Sequence, residues 1–280
     1  MNANHNTTTM KKYLFTLMAI GMGLPFFSIA QNVALAPSRL YYKVGIGEYK
    51  SQNVTVTNNS TTKQSFTVSF SDFEAPGTEG KSKFMDIGES ENSCSKWVSA
   101  SPSFFEIEPG QSQQIAVLLQ VPNLPDANKV KWTALKIKLA KEKQSPAQND
   151  PATVGLGIVE TFQFVVHVFQ SPPTVTHKSA EISDFKEITS LNDTSRVLML
   201  NVKNSGEAIL DCASYLDVTD LQTGSEERLK PFAYTILPGG SRNVKFQLRS
   251  LPKGKYSVLG VVDYGSKENV QAAELTLDVK

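Results

Sequence analysis

TVGLGIVETFQFVVHVFQSPP, Thr153 to Pro173, is the stretch whose reading decides the fold. Even positions Leu156, Ile158, Phe162, Phe164 and Val166 are apolar, with Glu160 the exception, and the odd positions are mixed. Alternation of this kind sends side chains to opposite faces of a sheet. Two glycines, many β-branched and aromatic residues and a closing Pro-Pro pair argue against a helix. The spacing predicts one long strand, the last of a first domain, with Pro172-Pro173 as a stiff joint to a second.

Similar strands lie on both sides. VALAPSRLYY, from Val33, is extended but holds Pro37, which marks an edge strand or a switch between sheets. NVTVT alternates from Asn53 and ends at Asn58-Asn59-Ser60, a turn signal. QSFTVSFSDF returns from Gln64, QIAVLLQV follows from Gln114, and WTALKIKL alternates strictly from Trp132. Glu74 to Ser95 is polar and reads as a long loop. About seven short strands with turns between them and no amphipathic helix predict an antiparallel sandwich.

The second half repeats this grammar. Ile107, Pro109, Gly110 and Ser112 match Ile236, Pro238, Gly239 and Ser241, and a strand ending in Asn precedes each set, at Asn58 and at Asn204. Self-similarity at this spacing predicts an all-β chain of two immunoglobulin-like sandwiches in tandem, over 31–172 and 173–280.

Residues 1–30 read as a Sec signal peptide. Lys11 and Lys12 form the basic region, Tyr13 to Phe27 the apolar one, and Ser28-Ile29-Ala30 the small-residue cleavage site. Met10 offers a second start, and an uncleaved anchor is the alternative. No later segment is apolar enough to span a membrane. Cys94 and Cys212 fall in different domains, so they cannot form a bridge within one. An oxidising compartment permits a bridge between domains, and two lone, partly buried thiols are the preferred expectation.

A net charge of +1 gives no electrostatic case for nucleic acid. Outside the leader only His167 and His177 remain, at no metal-ligand spacing with a cysteine, and no cofactor is expected. There is no Gly-x-Ser-x-Gly elbow, and Gly155-Leu-Gly157 lacks the third glycine and the helix of a phosphate site. A binding or assembly device, not an enzyme, is the expectation.

The layout resembles the periplasmic pilus chaperones of the PapD type: a signal peptide, an Arg-bearing first strand, the EPGQS turn at Glu108, an aromatic strand, a long loop and a last strand ending in Pro. The resemblance covers nearly all of the chain after the leader. It implies two immunoglobulin-like domains, a periplasmic location, exported pilus or surface-structure subunits as clients, and an outer-membrane assembly protein as a further partner. It implies that Arg39 and His167 anchor a client's terminal carboxylate, with His167 standing where the family has Lys. It also implies that Leu156, Ile158, Phe162 and Phe164 form a strand lent to the client, interrupted by Glu160. Ser171 stands where the family has an Arg that supports interdomain ion pairing. On the residues alone, Arg39 reads equally as a surface or interdomain salt-bridge partner, and His167 as an ordinary strand residue. The second expectation is an exported structural or cell-surface interaction module on the same scaffold.

Overall fold

The computed structural model describes residues 32–140, 162–189, 195–267 and 269–280. The leader, and Leu156, Ile158 and Glu160 of the decisive stretch, lie outside the described residues. The stretch itself appears as a strand from Gln163 to Ser171, stopping at Pro172 as expected.

The first ten strands are β1 (Val33–Ala36), β2 (Arg39–Lys43), β3 (Tyr49–Asn58), β4 (Gln64–Glu74), β5 (Lys83–Met85), β6 (Val98–Ser101), β7 (Phe104–Ile107), β8 (Ser112–Gln120), β9 (Lys131–Ala140) and β10 (Gln163–Ser171). They form two sheets, ordered β1-β3-β8-β6 and β2-β10-β9-β4-β5, with β7 also on β4. The next eight are β11 (Ala180–Glu187), β12 (Val197–Asn204), β13 (Leu210–Asp220), β14 (Glu226–Arg228), β15 (Phe232–Ile236), β16 (Ser241–Gln247), β17 (Gly254–Asp263) and β18 (Gln271–Val279). They form sheets β11-β12-β16 and β14-β13-β17-β18, with β15 on β13. Both pairs of sheets carry the strand arrangement of an immunoglobulin-like sandwich. Each sandwich has its own core: Phe66, Ile115, Leu135, Ile137, Val166 and Val168 in the first, Leu198, Leu200, Leu216, Val258 and Val262 in the second.

Pro37 marks a switch between sheets. Before it, β1 pairs with β3; after it, β2 pairs with β10 in the opposite sheet. A residue without an amide proton suits the point where the chain leaves one ladder for another.

The repeat is physical as well as textual. Asn58 donates its side-chain amide to the carbonyls of Thr62 and Ile107, at 2.8 and 2.9 Å. Asn204 does the same to Ala208 and Ile236, at 2.9 and 3.1 Å. Each Asn oxygen accepts the amide two residues on, from Ser60 and from Gly206. Each Asn carbonyl accepts from the turn glycine, Gly110 or Gly239, both at positive φ. Both Asn residues are fully buried, so no water replaces these bonds. Asn58→Ala is expected to lower the stability of the first sandwich, and Asn204→Ala that of the second, by about 1–3 kcal/mol each, through carbonyls left unpaired. Denaturant titration with a probe in each domain checks this; equal losses in both domains from one substitution would contradict it.

Within β9, Trp132 and Ala134 pack under the second domain while Thr133 and Leu135 face the first, so the two sets of the alternation face opposite sides as expected. Two expectations need correction. Glu74 to Ser95 is not wholly loop: it contains β5, and a short 3-10 turn, Ser95–Trp97, begins at its last residue. The two thiols are buried rather than partly buried, Cys94 completely, and both are free.

Asp72 organises the rest of that segment. Its buried carboxylate accepts the amides of Gly88 and Ser90, at 2.8 and 3.1 Å, and the Ser93 hydroxyl. Burial alone raises the pKa of this carboxyl, but the hydrogen bonds outweigh it and hold the group below its ordinary value. Its folded-state pKa is therefore below the unfolded one of about 3.9, so its stabilisation is present above that range and fades as pH falls through it. Asp72→Asn, which keeps the shape and loses the charge, is expected to flatten the acid limb of the stability–pH curve. A thermal-melt series from neutral to acid pH reads this out, and an unchanged acid limb would rule out the carboxylate as its source.

Candidate functional site

The site is built on the uneven cover of β10. On one side β9 pairs with β10 along its length, from Gln163↔Lys138 to Gln170↔Lys131. On the other side β2 pairs in parallel only from His167↔Arg39 to Ser171↔Lys43. Ser38, just before β2, accepts the His167 amide at 3.0 Å, and there the cover ends. Among the described strands, none pairs with that side of Gln163 to Val166. The peptide groups that face it belong to Gln163 and Val165, because backbone direction alternates and His167 faces β2.

Side chains on β10 divide as the alternation requires. Phe164, Val166 and Val168 turn into the first core. Val165 and Phe169 join Phe73, Val130, Trp132 and Ala134 in a separate cluster completed by Val175, Ile209 and Leu237 of the second half. This apolar floor joins the two sandwiches. Phe162 is exposed, and its carbonyl accepts the Leu139 amide at 3.1 Å.

Above the floor lies a cleft of about 600 Å³. Arg39 and His167 reach it side by side, because parallel partners in register share one face of the sheet. Residues 75–82 form a strap across it. The Ser82 hydroxyl is 3.1 Å from Nε2 of His167. The Thr78 carbonyl accepts the amide of Asn243, and its hydroxyl accepts the Asn243 side chain, both at 2.8 Å. Gly80 has φ +64°, and its missing side chain leaves room for the Arg242 guanidinium, which a Cβ would meet at 0.9 Å. The second domain supplies the far wall, where Thr235 accepts from Arg39 Nη1 at 2.8 Å.

The electrostatics favour an anion. Arg39 and Arg242 line the cleft against the single carboxylate of Glu74, whose oxygen already accepts the Ser90 hydroxyl. His167 lies edge-on to Phe73, with ring centres 4.8 Å apart. Burial first, and the Arg39 charge second, push its pKa below the ordinary value, so the ring is neutral near pH 7. A neutral imidazole offers one N–H, less than a lysine would offer an anion. Among the described residues no group of three or more His, Cys, Asp or Glu could hold a metal.

Of the residues expected from sequence, Arg39 and His167 come together, and Phe164 lies along the half-covered strand. Phe162 precedes that strand, and Leu156 and Ile158 lie outside the described residues. Sequence reasoning missed Ser82, Thr235 and Arg242. A signal for Thr235 existed in the repeat. Glu106 and Glu108 occupy the matching positions in the first sandwich, where they pair with Lys63 in solvent. Their counterparts Thr235 and Leu237 are uncharged, as residues of a covered face should be.

No protein-family model matches the chain, and no curated protein does. Solved structures similar to it include a chaperone–tip adhesin complex of CFA/I fimbriae biogenesis, at 14% identity and TM-score 0.46, over 88% of this chain and 98% of that one. The class 5 fimbriae chaperone CfaA is similar at 15% identity and TM-score 0.43, over 88% and 98%. The E. coli chaperone DraB is similar at 16% identity and TM-score 0.42, over 87% and 98%.

Arg39→Ala is expected to raise the His167 pKa without restoring it fully, since the charge goes and the burial stays. NMR titration of the imbedded imidazole measures this directly; a fall in the pKa would overturn the assigned electrostatics.

Proposed function

We propose that this protein is a periplasmic chaperone-like binder that lends the uncovered side of β10 to an incomplete sheet of an exported subunit. The observation that carries the reading is the end of β2 at Arg39: the same residue that stops covering β10 projects a cation into the cleft beside the open backbone. An extended client segment pairing with Gln163 and Val165 would gain main-chain hydrogen bonds, and a terminal carboxylate running into the cleft would meet Arg39. Phe162, exposed just before β10, would offer its side chain to the client's core, and Leu156 and Ile158 are proposed to extend the lent strand, whereas Phe164 turns into the protein's own first core. Covering the client's unpaired edge would suppress its aggregation.

The resemblance in the sequence supplies the rest of the proposal. Residues 1–30 direct export, the domains divide at Pro172-Pro173, the clients are pilus or surface-structure subunits, and an outer-membrane assembly protein receives them. The protein acts by binding, not by catalysis. No helix among the described residues is long and apolar enough to cross a membrane. A neutral His167 and the absence of an Arg at Ser171 favour the second reading, an exported surface-interaction module without chaperone activity.

Two substitutions separate these readings. Arg39→Ala is expected to weaken client capture about tenfold to a hundredfold, as loss of a charge-assisted hydrogen bond does. Val165→Pro removes an amide facing the open side, which an edge tolerates, and is expected to abolish capture while the fold persists. Affinity purification from the periplasm, with mass spectrometry of the retained proteins, measures both. Retention of every partner by both variants would eliminate the lent-strand reading.

A further inference from the structure

We infer that Thr235 and Asp211 of the second domain are positioning residues that aim Arg39 into the cleft, so that recognition of a terminal carboxylate depends on both domains. The inference rests on the carboxylate-binding reading above and adds to it a part that neither the half-covered strand nor Arg39 alone contains.

The geometry is a relay with a fixed polarity. Thr235 and Asp211 are direct cross-strand partners on β15 and β13. The Thr235 hydroxyl donates to Asp211 Oδ1 at 3.2 Å. A hydroxyl has one proton, so an oxygen that donates to Asp211 turns a lone pair outward. That lone pair accepts from Arg39 Nη1 at 2.8 Å. The contact joins β2 of the first sandwich to β15 of the second, across the cleft.

Arg39 itself is exposed, and an exposed arginine carries a large rotamer entropy. One bond through Nη1 holds the guanidinium plane while the remaining N–H groups stay available to a bidentate anion. Asp211 meets the relay through the Thr235 hydroxyl, so Arg39 is steered by a neutral acceptor backed by a negative charge. A carboxylate in direct contact would instead occupy the fork and compete with the ligand. Thr235 thus does what a salt-bridge partner could not do without blocking the site.

The test uses the mature protein and two probes: a short peptide of alternating Val and Thr ending in a free carboxylate, and its C-terminal amide. NMR titration gives the affinity for each. The wild type is expected to prefer the acid. Thr235→Val, nearly the same shape without the hydroxyl, is expected to reduce that preference roughly tenfold while affinity for the amide is unchanged. Thr235→Ser is expected to restore it, and Asp211→Asn to reduce it by less. If Thr235→Val keeps the wild-type ratio of acid to amide, the positioning role is overturned while the carboxylate site stands. If Thr235→Val weakens both probes equally, Thr235 is merely structural and the inference is overturned. An unchanged ratio in Asp211→Asn would remove Asp211 from the relay. If the wild type itself does not distinguish acid from amide, the carboxylate reading falls and takes the inference with it.

Discussion

Parallel pairing of β2 with the last half of β10 is the constraint on which the rest of the molecule depends. It requires the chain to leave the opposite sheet at Pro37, which separates β1 from β2. It sets Arg39 against His167 and so decides which side chains share the cleft. It ends at that pair, which leaves Gln163 to Val166 held from the β9 side. One run of backbone hydrogen bonds therefore determines the sheet switch, the cationic corner and the margin of β10 that no described strand covers. Polar backbone left without a partner is normally a hazard for a sheet protein, and this margin lies next to a charge.

Much of this was legible in the sequence because it rests on local chemistry. Proline cannot donate to a ladder, so Pro37 announced an edge strand or a switch between sheets, and the structure shows the switch. A buried Asn that ends a strand needs a turn to satisfy it, so the paired Asn and Pro-Gly signals at Asn58 and Asn204 announced two domains of one kind. Alternation in the stretch from Thr153 identified a strand whose two faces do different work, and β10 indeed turns Val166 inward and Phe169 toward the second domain.

The remainder was not legible because it is made of contacts between distant parts of the chain. Residues 75–82 have no periodicity, and their fixed path comes from Asn243 and Arg242, far along the sequence. Strict alternation in β9 gave two opposite faces but not what covers each, because burial against Ile209 and Leu237 is a property of the docked domains. The value of Thr235 lies in what faces it, and a threonine in a strand is otherwise unremarked. Lys131 shows the same limit: a lysine in an alternating strand reads as solvent-facing, yet it is buried against Asp126 and the Glu91 carbonyl.

The grip of Thr78 on Asn243 has a consequence for the molecule among its own copies. β16 is the outer strand of its sheet, and an outer strand can recruit a neighbour's backbone. The strap occupies the amide of Asn243, within that strand, so a second molecule cannot zip along it without first prising the first domain away. At this outer strand the first domain serves as the stopper for the second.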